Sequence, residues 1–72
     1  MKRRPVESSA LASVGYDAAT GVLEIEFTSG EVYRYFAVPP SAHRGLLAAD
    51  SRGRFFRDCI RERYPTERVP RR

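Results

Sequence analysis

Residues 22–38 constrain this chain most. Leu23, Ile25 and Phe27 alternate with Glu24 and Glu26, the period-two pattern of a strand with one wet face. Thr28-Ser29-Gly30 follows, then a run from Glu31 to Val38 rich in β-branched and aromatic side chains, which Pro39-Pro40 ends. Two such runs around a short loop make a β-hairpin, and loop length decides which side chains share a face. A three-residue loop, with Gly30 in the left-handed position, pairs Phe27 with Glu31, Ile25 with Tyr33, Glu24 with Arg34 and Leu23 with Tyr35. Tyr33 and Tyr35 then lie on the core face. A two-residue Ser29-Gly30 loop sets Arg34 beside Ile25 in the core, which is costly, and forces Ser29 to positive φ. The three-residue loop is the favoured reading.

Around the hairpin the pattern is weaker but readable. Residues 8–16 read as a first strand made of small side chains. Asp17-Ala18-Ala19-Thr20-Gly21 carries turn chemistry, because Asp bonds its own backbone and Gly accepts positive φ. Residues 41–49 read as a short helix with Pro40 near its first position and Leu46-Leu47 facing inward. Ser51 is a candidate N-cap for a second helix running to about residue 63, with Pro65 beyond it. Phe55, Phe56, Cys59 and Ile60 form its apolar stripe, extended by Tyr64, and Arg54, Arg57 and Arg61 fall on the opposite face. Arg63 lands inside the stripe, so either the helix has ended there or the stem packs while its head reaches water.

The expected fold is therefore α+β: a three-stranded antiparallel β-sheet, a β-meander, followed by two helices packed on one face. Its expected core is Val14, Leu23, Ile25, Phe27, Tyr33, Tyr35, Leu46, Leu47, Phe55, Phe56, Cys59 and Ile60. Residues 1–7 read as a flexible basic arm, 8–65 as a single domain and 66–72 as a basic tail. A chain of 72 residues supports one domain. One cysteine makes no internal disulfide, and no apolar run approaches the roughly 20 residues that span a bilayer. A cytoplasmic location is the default expectation.

Charge is polarised along the chain. Residues 51–72 hold eight arginines against three acids, whereas residues 1–50 hold five bases against six acids. Twelve of the thirteen basic residues are arginine, whose planar fork suits phosphate and stacks on rings. That distribution bears on partners rather than on fold and points to an acidic one, nucleic acid foremost.

An ordered series of residues resembles a known family. It comprises Ser9, Gly15-Tyr16-Asp17, Leu23-x-Ile25-x-Phe27, Ser29-Gly30, Tyr33-Arg34-Tyr35 and Val38-Pro39-Pro40. It continues through Leu46-Leu47-Ala48-Ala49-Asp50-Ser51, Gly53, Phe55-Phe56, Ile60 and Tyr64. Together these resemble the KTSC domain, named for its occurrence at the C-terminus of some lysyl-tRNA synthetases and found also as a stand-alone bacterial protein. The resemblance covers about residues 8–65. It implies a domain for which RNA binding is the suggested role. Where the family often carries an asparagine after the aromatic pair of the second helix, this chain has Arg57, which makes the helix more basic.

The functional expectation is a non-enzymatic nucleic-acid-binding module, with RNA as the expected partner and no cofactor. Arg52, Arg54, Arg57 and Arg61 are the candidates for phosphate contact, against the plainer reading of a solvated helix face with Asp58 and Glu62 as local partners. Tyr33 and Tyr35 are candidates to stack unpaired bases, against a core role with their hydroxyls near the rim. Ser51 and Gly53 open the second helix and are candidates for an anion site, against a plain N-cap with Gly53 easing a clash against the first helix. The alternative function is a protein-interaction or homodimerisation face around Val32 and Phe36. Catalysis has no assembled nucleophile and base. His43 reads as a boundary residue, Cys59 as a small buried hydrophobe, and no metal-ligand spacing is present.

Overall fold

The computed structural model describes residues 3–70. Met1 and Lys2 of the expected arm and Arg71 and Arg72 of the expected tail lie outside the described residues. The elements run β1 (Arg4–Pro5), β2 (Leu11–Asp17), β3 (Val22–Phe27), β4 (Val32–Tyr35), α1 (Pro40–Ala48), α2 (Arg52–Cys59) and β5 (Thr66–Val69). The α+β class stands, but the sheet has five strands rather than three. Its order is β1-β2-β3-β4-β5, with every neighbouring pair antiparallel. The two added strands come from the segments expected to be an arm and a tail. Two residues ending in proline and a charged Thr-Glu-Arg-Val run carry no alternation, so only pairing with β2 and β4 makes them strands.

The hairpin takes the register of a three-residue loop. Leu23 pairs with Tyr35, Glu24 with Arg34 and Ile25 with Tyr33. Phe27 N–H donates to the Glu31 carbonyl at 2.8 Å, and Gly30 has φ of +94°. Positive φ at this position explains glycine there. The Asp17 turn also forms as its chemistry dictates. The Asp17 carboxylate accepts from Ala19 N–H at 2.9 Å, and its carbonyl accepts from Gly21 N–H at 2.8 Å, with Gly21 at φ +71°.

A register shift in β2 between Leu11 and Ser13 lets Leu11 and Val14 both face inward, although an even alternation would separate them. Leu11 is fully buried for that reason. The core cluster is Leu11, Val14, Leu23, Ile25, Tyr35, Val38, Leu46, Phe56 and Ile60, so sheet and helices share one apolar centre. Leu47 departs from the expected core: it is 39% exposed, because Leu46 occupies the inward position of α1. Phe27, Tyr33, Phe55 and Cys59 pack at the margin of the cluster rather than inside it.

Ser51 caps α2, its hydroxyl oxygen accepting from Arg54 N–H at 3.3 Å. The helix ends at Cys59, short of the expected residue 63. Ile60 N–H and Arg61 N–H both donate to the Phe56 carbonyl at 2.9 Å, which closes the last turn. Arg63 is therefore beyond the helix and exposed. No helix is long and apolar enough to cross a membrane among the described residues.

His43 of α1 stacks on Tyr16, ring centroids 4.6 Å apart at 21°. The Tyr16 hydroxyl in turn donates to the Val38 carbonyl at 2.6 Å. Burial first, and the nearby Arg44 charge second, lower the His43 pKa from 6.5. The unfolded chain then takes up this proton before the folded one does. The stability carried by neutral His43 is full above about pH 6.5 and is lost as pH falls through the lower folded value. We expect the urea midpoint to drop between pH 7.5 and 5.5, above the range where carboxylates titrate, and His43→Gln to flatten that drop. An unchanged profile in the variant would exclude His43 as the cause.

Candidate nucleic-acid interface

On its helix-covered side the sheet carries Val14, Tyr16, Leu23, Ile25, Tyr33 and Tyr35 by strand alternation and register. The short α2 lies over part of this side. Beside it runs an open groove of about 560 Å³. Its aromatic lining is Phe27, Tyr33, Tyr35 and Phe56, and its basic residues are Arg57 and Arg61, with Ala10 and Thr66 completing the lining. The aromatic rings meet edge to face. Phe27 stands 5.8 Å from Tyr33 and 5.2 Å from Phe56, and Phe56 stands 5.4 Å from Tyr35. Such contacts add to the stability of buried rings beyond their area.

The two tyrosines differ in role. Tyr35 is 4% exposed and belongs to the core. Burial first, then the neighbouring Tyr33, push its hydroxyl up to about 12, while the Arg61 charge works in the opposite direction. Tyr33 is only half-buried, and its hydroxyl donates to Glu31 Oε2 at 3.1 Å. The same carboxylate oxygen faces Arg68 Nε at 3.6 Å. Of the two tyrosines lining the groove, Tyr33 is thus the more exposed.

The four candidate arginines separate. Arg57 and Arg61 come together at the groove. Both are exposed, and Arg57 shares a long 3.4 Å contact with its neighbour Asp58. Arg54 is exposed but borders a smaller hollow of about 290 Å³ with Asp58 and Cys59. Arg52 is already engaged by backbone carbonyls. Its Nη1 donates to the Glu7 carbonyl at 3.0 Å and its Nη2 to the Leu47 carbonyl at 2.9 Å. It ties the chain before β2 to the end of α1 through two neutral carbonyls, while its buried Nε has no hydrogen-bond partner among the described residues.

Ser51 and Gly53, the candidates for an anion site, both have structural roles. The Ser51 hydroxyl is engaged as the cap, and a Cβ on Gly53 would meet the Ala10 side chain at 3.2 Å. Gly53 eases a close approach, but to the segment before β2 rather than to α1. The glycine at the helix–helix crossing is Gly45, where a Cβ would stand 2.7 Å from the Phe55 ring. Phe27, Phe56 and Thr66 were missed as groove residues. Phe27 and Phe56 read only as core, and Thr66 sat in a segment not read as a strand.

The other side of the sheet holds a separate charge network. Glu24, 4% exposed, is paired with Arg3 and, at 3.3 Å, with Arg34. Ser13 accepts from Arg3 Nε at 3.1 Å and donates to Glu26 Oε1 at 2.9 Å. Among the described residues no group of three or more His, Cys, Asp or Glu is placed to hold a metal ion.

Comparison with known proteins agrees with this fold. The KTSC domain family model matches residues 7–64. An uncharacterised protein of Stutzerimonas stutzeri is 48% identical over 64 residues, covering 89% of this chain and 90% of that protein. A lysine–tRNA ligase of Nostoc punctiforme is 40% identical over 63 residues, which are 88% of this chain but only 11% of the ligase. The crystal structure of a KTSC domain protein from Yersinia pestis superposes with a TM-score of 0.93 at 38% identity, covering 96% of this chain and 97% of that one. A match over nearly the whole chain, in sequence and in fold, makes this protein a member of the KTSC domain family.

Proposed function

We propose that this protein is a non-enzymatic RNA-binding module whose contact surface is the groove beside α2. The carrying observation is the juxtaposition of Arg57 and Arg61 with an aromatic lining. Guanidinium groups supply phosphate contact, and rings supply stacking that tolerates any base. Two facts add support. The positive charge gathers in the C-terminal third of the chain, and a similar segment forms part of lysine–tRNA ligases, whose named substrate is a tRNA.

The alternative, a protein-interaction or homodimer face around Val32 and Phe36, has less support. Val69 of β5 pairs beside Val32 and enlarges that patch, but Glu24, Arg34 and Glu67 share the same side and break it up.

The test is a fluorescence-anisotropy titration with single-stranded RNA at two salt concentrations. Binding should weaken steeply with salt through counterion release. Arg57→Ala with Arg61→Ala should lower the slope of log K against log salt by about one per lost phosphate contact. Arg52→Ala, judged on variants that remain folded, should leave the slope unchanged. A flat salt response, or an unaltered slope in the double variant, would overturn the proposal.

A further inference from the structure

Resting on the RNA-binding reading above, we infer that the groove seats one unpaired base, with Tyr33 as the stacking platform and Arg57 and Arg61 on the flanking phosphates. The protein then selects RNA by its looped-out or terminal bases rather than by its helical regions.

Ring exposure singles out Tyr33. Tyr35 and Phe56 are 4% and 8% exposed, so their rings are spent on the core. Phe27 is half-buried and already meets two rings edge to face. Tyr33 meets only Phe27 among the rings and keeps surface at the groove. Its hydroxyl is anchored on Glu31, which also faces Arg68. An anchored ring loses little freedom when a base settles on it, which is the general advantage of preorganisation.

Shape supports a single base. The groove, at about 560 Å³, falls within the size range of small-ligand sites. It lies between α2, which supplies Arg57, and β5, which supplies Thr66. An open sheet carries successive bases side by side, whereas here a helix stands on one flank. A paired RNA helix keeps its base faces inside the stack and offers only backbone and shallow groove edges. Aromatic walls would gain nothing from such a ligand. Arg57 and Arg61, four residues apart, sit at the same groove and supply the charge that a flanking phosphate needs.

Three RNA hairpins test this. One is fully paired, one carries a single bulged nucleotide, and one carries an abasic residue at the bulge. We expect the bulged hairpin to bind about tenfold more tightly than either of the others, the range that one base–aromatic stack supplies. Tyr33→Phe should keep that preference, and Tyr33→Leu should abolish it while both variants retain the wild-type circular dichroism spectrum. Arg57→Ala with Arg61→Ala should weaken all three hairpins. Equal, salt-dependent binding of the three hairpins by the wild type would overturn base seating and leave RNA binding intact. Loss of the preference in Tyr33→Phe would overturn the platform role. Binding of none of the hairpins, nor of single-stranded RNA, would overturn both readings.

Discussion

Phe56→Ala should cost about 3–5 kcal/mol of stability, the range for removing a buried aromatic ring. Phe56 is 8% exposed and stands within 5.2 Å of Phe27 and 5.4 Å of Tyr35, ring centre to ring centre. It joins α2 to two strands at once. A domain of 72 residues has about 4–11 kcal/mol in all, so this one truncation removes much of the margin. Thermal unfolding followed by circular dichroism should show a fall in Tm of about 12 °C or more, or no folded baseline. Phe56→Leu keeps most of the volume and should cost less. A cooperative transition within a few degrees of wild type in Phe56→Ala would refute the packing described for α2.

The second large effect belongs to the opposite side of the sheet. The Glu24 side chain is 6% exposed, whereas its partners Arg3 and Arg34 are 30% and 44% exposed. The pair is therefore asymmetric. Removing the acid leaves two guanidinium groups that turn to water, and Glu24→Gln should cost about 1–3 kcal/mol. Removing both arginines leaves the Glu24 carboxylate without either of its ion partners. Arg3→Ala with Arg34→Ala should cost about 3–5 kcal/mol at neutral pH. Urea unfolding measures both effects. A double variant less damaging than Glu24→Gln would reverse the asymmetry.

The parts of the fold legible in the sequence are those where local chemistry leaves one solution. The β3–β4 register followed from the cost of placing Arg34 in the core and from a glycine suited to positive φ. Ser51 was readable as a cap because a hydroxyl before an apolar period has a specific donor to accept from. The strands β1 and β5 were not legible, since their residues carry no alternation and their order comes from neighbours distant in sequence. The shift at Leu11 breaks period two, which concealed a fully buried leucine behind small residues. The candidate site was half legible. Helical spacing placed Arg57 as an exposed group, whereas Arg61, exposed too, lies past the end of α2, and Tyr33 pairs with Ile25 as expected. The fate of Arg52 depended on carbonyls from Glu7 and Leu47, contacts that helical periodicity does not encode.

The rims of the sheet carry one more consequence. Among the described residues the outermost strands are β1, two residues that include Pro5, and β5, where exposed Glu67 and Arg68 precede Pro70. Proline withholds an amide, and charged side chains on an edge strand disfavour its pairing with another chain. A backbone ladder that would otherwise template fibre growth is thus blunted at both ends, and the protein should stay dispersed in concentrated solution without a disulfide or a partner chain to shield it.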